Sequence, residues 1–501
     1  MVFNLTLNLY SIIVEIFFVF SCLIILLFGV IFSYEPKFGY LIINKIIYKL
    51  FLQILILGLI LILIQNPIYM LSWNSFFISN SFTCYSKILV LIISILWLLF
   101  SINYILKEKL INYEYWVLIL LIIVALFLII QVNDLLSTYL TIEFQSLIFY
   151  ILASFNRSSE FSTESGLKYF ILGAFSSGLL LFGFSLLYSV TGLTNFNDLS
   201  LFIIQINLIS DDLVYNMIFL SFCFILISFL FKLSVAPFHM WAPDVYEGAP
   251  SSVTALFGLM PKLPIIGLIL KLNLIIFYNF FNLWLYLIIF CIVCSSLIGS
   301  FSAFAQIKWK RFIVFSSISH LSFFLLALIC NNFESVTSLF FYLIVYLIMS
   351  ISFFNFFTNL FFYKFPFYFQ IRFFEQLKSL MMLNPLLGMF LGIIIFSMAG
   401  IPPLAGFFAK FFVLLNAVKN SFFILVFIIL LSNGISCFYY IRLVKAIYFS
   451  TNEPKYFLVI MPFEKQSSFV LCFCIFLLVF LIFDFNFIFL CTNLLALNFF
   501  Y

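Results

Sequence analysis

An all-α polytopic membrane protein is predicted, with about fourteen transmembrane helices, two inverted five-helix repeats and two proline-broken helices. Three observations predict it. Of the 501 residues, 66% are hydrophobic and only 8% are charged, against about 25% charged in soluble domains. So little charge cannot cover a water-facing surface, and apolar side chains must face lipid. Apolar runs recur at the length that crosses a membrane, and the basic residues fall almost entirely in alternate connections.

A helix crossing the ~30 Å hydrocarbon core needs ~20 apolar residues. Such segments lie near 8–33, 47–65, 86–105, 115–131, 134–155, 166–190, 215–247, 251–273, 276–304, 312–330, 336–362, 384–418, 421–447 and 467–490. The seventh and twelfth are long and interrupted by proline. The reading divides the chain into N-terminal helices one to three (1–110), a first repeat of helices four to eight (111–275), a second repeat of helices nine to thirteen (276–450), and a C-terminal loop with helix fourteen (451–501).

Connections after odd-numbered helices hold sixteen basic residues, from Lys37 through Lys109 and Lys308 to Lys455 and Lys465. Connections after even-numbered helices hold Lys87, Lys271 and Lys419. The positive-inside rule then puts the odd connections on the electrically negative side and both termini opposite. The first basic residue is Lys37, so neither a secretory signal nor an Arg-rich presequence is expected. With 77 Phe and 17 Gly, the composition suggests an AT-rich, organelle-encoded gene.

Four lysines remain within spans: Lys168, Lys232, Lys262 and Lys410. Lys168 is close enough to its helix start to snorkel. At a helix centre a charge costs ~2.5–3.5 kcal/mol, and such residues mark ion or proton paths. Removal from water disfavours the ammonium, and a neighbouring carboxylate favours it, so a buried lysine beside a changeable charge is a switchable proton site.

Lys232 is the second residue of "FKLSVAPFHMWAPDVYEG". Pro237 has no N–H for the carbonyl of Leu233, so the helix breaks one residue past Lys232. The freed carbonyls form the negative end of a half-helix that could accept the ammonium. Broken helices at membrane depth are tolerated only inside protein or along a water-filled cavity. Lys410, in "AGIPPLAGFFAKFF", repeats the device after Pro402 and Pro403. Broken helices in corresponding halves point to inverted repeats with a site at mid-membrane. Lys262 lies between Pro261 and Pro264, and Glu143, mid-span in its own helix, is the candidate partner of Lys232. The plainer alternatives are a lysine that only pairs with an acid and a carboxyl kept neutral for packing.

His239, seven residues after Lys232, would share its face if two helical turns intervened, and could relay a proton toward Lys262. His320 lies mid-span among hydroxyls, a relay or a hydrogen-bonded structural histidine. Asp244 and Glu247 are expected to brace the turn near Pro243 and Gly248, and Glu15 and Asp134 to be interfacial or in helix contacts. Haem is not expected, since one histidine sits in a broken segment. Cys291 and Cys294 have no second pair for an iron–sulfur cluster and read as small buried residues. No phosphate loop, dinucleotide fingerprint or metal motif occurs, so the chain can move protons but needs partners to drive them.

Four stretches carry a resemblance: "LTIEFQSLIFYILASFNRSSEFSTESGLKYFILGAFSSGLLLFG", "FKLSVAPFHMWAPDVYEGAPSSVTALFGLMPK", "FSMAGIPPLAGFFAKFF" and "CFYYIRLVKAIYF". Over about Asn133 to Lys445 the chain resembles the second, antiporter-like subunits of mitochondrial NADH dehydrogenase (complex I), in their longer plant and protist form. The first 110 and last 50 residues match only as apolar helices. The resemblance implies fourteen helices and proton translocation without a cofactor in this chain. NADH, FMN, iron–sulfur clusters and ubiquinone are expected in partner subunits. It also implies that Glu143, Lys232, Lys262 and Lys410 form the proton path, with Lys168 and His239 as relay residues. The expected partners are neighbouring antiporter-like and small membrane-arm subunits and the lipid bilayer, cardiolipin included, with no nucleic acid. The expected location is the mitochondrial inner membrane, termini on the intermembrane-space side. Family members have glycines flanking His320, whereas this chain has Ser319, Ser322 and Phe323. A stand-alone or Mrp-type cation/proton antiporter would use the same charges, and a non-transporting scaffold is the structural alternative.

Overall fold

The architecture comes from a computed structural model, which describes residues 2–33, 40–108, 110, 112–206, 212–364, 367–378, 380–449, 459–481, 483–497 and 499. Of the basic residues counted above, Lys37, Lys109 and Lys455 lie outside them, as do residues 1, 500 and 501 at the termini.

The elements in order are α1 (Val2–Ser11), α2 (Ile13–Ser33), α3 (Tyr40–Ile64), the hairpin β1 (Met70–Ser72) and β2 (Phe77–Ser79), α4 (Ser81–Lys107), α5 (Tyr113–Gln131), α6 (Leu135–Ala153), α7 (Glu160–Thr191), α8 (Phe196–Ile206), α9 (Asp212–Lys232), α10 (Trp241–Gly248), α11 (Ser251–Leu259) and α12 (Lys262–Lys271). There follow α13 (Phe281–Ala305), α14 (Trp309–Cys330), α15 (Phe333–Asn359), β3 (Phe361–Lys364), β4 (Phe367–Gln370), α16 (Leu380–Leu383), α17 (Pro385–Ala399), α18 (Ala405–Lys419), α19 (Phe423–Tyr448), β5 (Val459–Ile460), α20 (Lys465–Phe480) and α21 (Asn486–Leu497). Among the described residues twelve helical segments are long and apolar enough to cross a membrane. The α17–α18 pair and α20 occupy the two remaining predicted spans.

The seventh and twelfth spans are broken as proline requires: α9 stops at Lys232 and α17 at Ala399. The eighth is also interrupted, between Leu259 and Lys262, where Pro261 and Pro264 fall. Not expected were α8, α21 and the five short strands. Strand β3 pairs antiparallel with both β4 and β5, tying the connection before α17 to the one before α20.

Packing follows position. Every residue from Ala249 to Asn273 is buried, so α11 and α12 form the centre. Helices at the rim turn large side chains outward: Ile24, Phe175 and Phe427 are 63%, 66% and 62% exposed. Lipid gives apolar helices little reason to associate, so close contacts and polar bonds hold them. Asn355 Nδ2 donates to Ser467 O at 2.8 Å and Asn359 Nδ2 to Phe100 O at 3.0 Å, joining α15 to α20 and α4.

Lys87 and Lys271, which the sequence count puts in even-numbered connections, are instead buried within helices, 2% and 6% exposed. Only Lys419 remains there, and the charge asymmetry is steeper than the sequence count.

Candidate functional site

Helix α6 is capped by Asp134, whose carboxylate accepts the Leu136 N–H at 2.8 Å, and its middle carries Glu143. Helix α9 brings Lys232 to it as its last residue. Lys232 Nζ and Glu143 Oε1 are 3.9 Å apart, with side chains 9% and 20% exposed. Both atoms are buried without a hydrogen-bond partner, so the contact is an ion pair without a bond. Ser146 Oγ donates to the other carboxylate oxygen at 3.3 Å.

Past Lys232 the chain turns: Ser234 takes the left-handed region at φ 60°, and Val235 N–H bonds back to Leu230 O at 3.0 Å. Trp241 Nε1 donates to Phe231 O at 2.9 Å across the break. The indole, with the Ser234 N–H, therefore takes one carbonyl at the half-helix end, and the Lys232 ammonium has no hydrogen bond to any of them. The expected arrangement occurs at Lys410 instead. Its Nζ donates to Met398 O and Ala399 O, both at 3.0 Å, at the end of α17, and to Asn433 Oδ1 at 2.7 Å.

A cavity of about 30 Å³ lies between α6, α9 and α12. Lys232 and Lys262 both line it, with Gln145, Ser146, Ser234 and Tyr246. One water needs roughly 10–15 Å³ by this measure and a few polar partners, so the space is large and polar enough for water. His239 does not line it. Residues 233–240 form no helix, so seven residues do not bring His239 onto the face of Lys232. Its ring is buried against Phe315 at 6.2 Å between centroids, and its Nδ1 has no partner.

Beyond the cavity the row continues through tyrosines that sequence reasoning missed. Lys262 Nζ donates to Tyr346 Oη at 2.5 Å. The Tyr346 ring lies 5.5 Å from that of His320, whose Nδ1 shares a 2.7 Å hydrogen bond with Tyr342 Oη. Tyr342 and Tyr346 are one turn apart on α15, a spacing that places both on one face. The serines around His320 do not reach it: Ser316, Ser317, Ser319 and Ser322 all donate to carbonyls of α14 itself. The close packing that glycines beside His320 would provide comes from the opposite helix. A Cβ on Gly299 of α13 would stand 2.6 Å from Ser319 N.

Lys168 lies apart from this row. Half exposed, it pairs with Glu164 at 2.8 Å and Asp244 at 3.0 Å. Asp244 also meets Arg311 at 3.1 Å, and Glu247 contacts Lys308 and Arg311. Asp244 and Glu247 thus join α10 to α7 and α14 rather than only bracing their own turn. Glu15 is a helix contact, paired with Lys87. Asp134 also accepts from Thr194 at 2.7 Å.

The geometry therefore offers carboxylate, ammonium, solvent-sized space, ammonium, phenol and imidazole in succession, ending near a third ammonium. Lys410 lies 5.5 Å from the ring of Phe323, on the helix that holds His320. Such a row can pass protons and contains no nucleophile poised on a base. Residues 132–436 match the family described as NADH:quinone oxidoreductase/Mrp antiporter, TM. NADH-ubiquinone oxidoreductase chain 2 of Marchantia polymorpha is 38% identical over 485 residues, 96% of this chain and 97% of that protein. NADH-quinone oxidoreductase subunit N of Pelagibacter ubique is 37% identical over 451 residues, 90% of this chain and 91% of that one. Among solved structures, a chain of respiratory complex I from Thermus thermophilus superposes with a TM-score of 0.74 at 22% identity, covering 94% of this chain and 96% of its own. A chain of the Mrp complex from a Dietzia species does so at 0.81 and 17%, covering 98% and 97%. With the family match spanning well over half its length and such relatives along nearly all of it, this chain belongs to the NADH:quinone oxidoreductase/Mrp antiporter transmembrane family.

Proposed function

We propose that this chain is a proton-translocating membrane-arm subunit of NADH:ubiquinone oxidoreductase, complex I, in the mitochondrial inner membrane, with both termini on the intermembrane-space side. The observation that carries the reading is the cavity shared by Lys232 and Lys262, because it connects the Glu143 ion pair to the row that ends at Lys410. NADH, FMN, iron–sulfur clusters and ubiquinone belong to partner subunits, and this chain holds no redox cofactor. Neighbouring antiporter-like subunits and small membrane-arm subunits flank it, and lipids such as cardiolipin line its rim.

Redox work elsewhere reaches Glu143 as a change of charge or hydration. An ion pair at 3.9 Å without a hydrogen bond is easily loosened, and loosening it removes the carboxylate's support for the Lys232 ammonium. Lys232 then gives its proton through the cavity to Lys262. The hydroxyl of Tyr346, with His320 and Tyr342, forms the next stage toward Lys410, whose three acceptors match the three donors of an ammonium.

Lys232→Met in the assembled complex tests this. Coupled pumping through this unit is expected to be lost, with electron transfer from NADH to an artificial acceptor retained. A normal proton-to-electron ratio in that variant would refute the reading. Purification separates complex I from a stand-alone antiporter, which would not travel with flavin and iron–sulfur subunits.

A further inference from the structure

A second group of buried charges lies off this row. Glu15 Oε1 and Lys87 Nζ are 2.5 Å apart between α2 and α4, with both side chains 3% exposed. Lys271, at the C-terminal end of α12, donates to Ile130 O at 2.6 Å and Val132 O at 3.2 Å. All three meet the last turns of α5: Lys87 lies 5.8 Å from the Phe127 ring, and Glu15 borders a cleft with Val124 and Leu128. Gln131 Oε1, Glu15 Oε2 and both amide atoms of Asn273, two residues past Lys271, are buried without a protein partner.

The placement is directional. α4 begins and α5 and α12 end on the side of the membrane poor in basic residues, so the group lies between mid-membrane and that side. Lys271 is nine residues past Lys262 on one helix, about 14 Å at 1.5 Å per residue. Its bonding also differs from that of Lys410. Two carbonyl acceptors are satisfied equally by a neutral amine, with two N–H groups, and by an ammonium, with three. Lys271 can change protonation state without losing either bond. A staple between helices would need neither this tolerance nor three costly charges together.

We propose that Lys271 is a further proton station, taking protons that have reached Lys262 and passing them to the Glu15–Lys87 pair for release on the side poor in basic residues. This rests on the proton-translocating reading above. In the transfer the Lys262 ammonium becomes an amine as the Lys271 amine becomes an ammonium, and Lys271 returns to the amine as it gives the proton onward, by way of the unpartnered amide atoms of Asn273 and Gln131, toward Glu15. The Glu15 carboxylate then accepts it, loosening its pair with Lys87, and discharges it to the aqueous phase.

Lys271→Arg, Lys271→Met, Glu15→Gln and Lys232→Met are compared in the assembled complex in sealed membranes. Protons per NADH and the amount of complex on native gels are read together. Arginine keeps the positive charge and donors for both carbonyls but does not deprotonate. The expected result is that Lys271→Arg assembles normally yet loses as many protons per NADH as Lys271→Met, and that Glu15→Gln loses them too. Wild-type stoichiometry in Lys271→Arg would overturn the inference and leave Lys271 a structural cation. If Lys271→Arg fails to assemble, Glu15→Gln decides by the same readout. Lys232→Met separates the two claims: lost pumping there beside normal Lys271→Arg sinks only this station, whereas normal pumping in Lys232→Met sinks the parent reading.

Discussion

Lys262 on α12 and Tyr346 on α15 meet in a 2.5 Å hydrogen bond, with both residues buried at 4% and 2% exposure. It is the only hydrogen bond to the Lys262 ammonium among the described residues, and it joins the cavity side of the row to the histidine side. Replacing Tyr346 with Phe keeps the ring and removes the acceptor. A buried donor left unsatisfied costs about 1–3 kcal/mol, and a barrier raised by ~1.4 kcal/mol slows a step tenfold. Coupled pumping is expected to fall about tenfold while electron transfer to an artificial acceptor stays normal. Unchanged pumping would remove Tyr346 from the row.

Glu143→Gln preserves shape and removes charge. The variant is expected to assemble and to lose coupled pumping through this unit, measured by dye quenching in sealed membranes. Glu143→Asp keeps the charge and retreats by one methylene from a contact already at 3.9 Å. Intermediate pumping is expected, and equal activity of the two variants would show that the charge is not what matters.

Gly406→Ala tests the second broken helix. Its Cβ would fall 1.9 Å from the Ser397 carbonyl oxygen, a backbone atom that cannot step aside. Overpacking of this kind costs about 1–3 kcal/mol or more, so assembled complex should decrease and thermal inactivation should come earlier. Gly434→Ala on α19 is the control, since its Cβ meets nothing within 4 Å. Equal stability of the two variants would contradict the close approach of α18 to α17.

Asp244→Asn weakens the half-exposed contacts to Lys168 and Arg311. Exposed pairs are worth less than about 1 kcal/mol, so both stability and pumping should stay near wild type. Abolished pumping would return Lys168 to the proton path from which its exposure separates it.

How far the sequence could be read depended on the kind of signal. Span number and the two breaks were legible because lipid demands long apolar runs and proline cannot continue a helix, and α9 ends at Lys232 as Pro237 requires. The pairing of Glu143 with Lys232 was legible because a carboxylate at mid-span needs a cation. The shared face of Lys232 and His239 does not form because a seven-residue spacing carries meaning only inside a helix, and the chain there is a turn. Tyr342 and Tyr346 were passed over because a phenol in an aromatic-rich span looks like packing, although their i,i+4 spacing was visible. Lys87 and Lys271 were assigned to connections because an apolar-run count cannot see a charge near a helix end turning inward.

The unbroken burial from Ala249 to Asn273 has an electrical consequence. The helix segment bearing Lys262 is sheathed on every side by protein, like the core of a coaxial cable. Acyl chains never touch it, so its insulation is built into the polypeptide and not borrowed from whichever lipids surround the subunit.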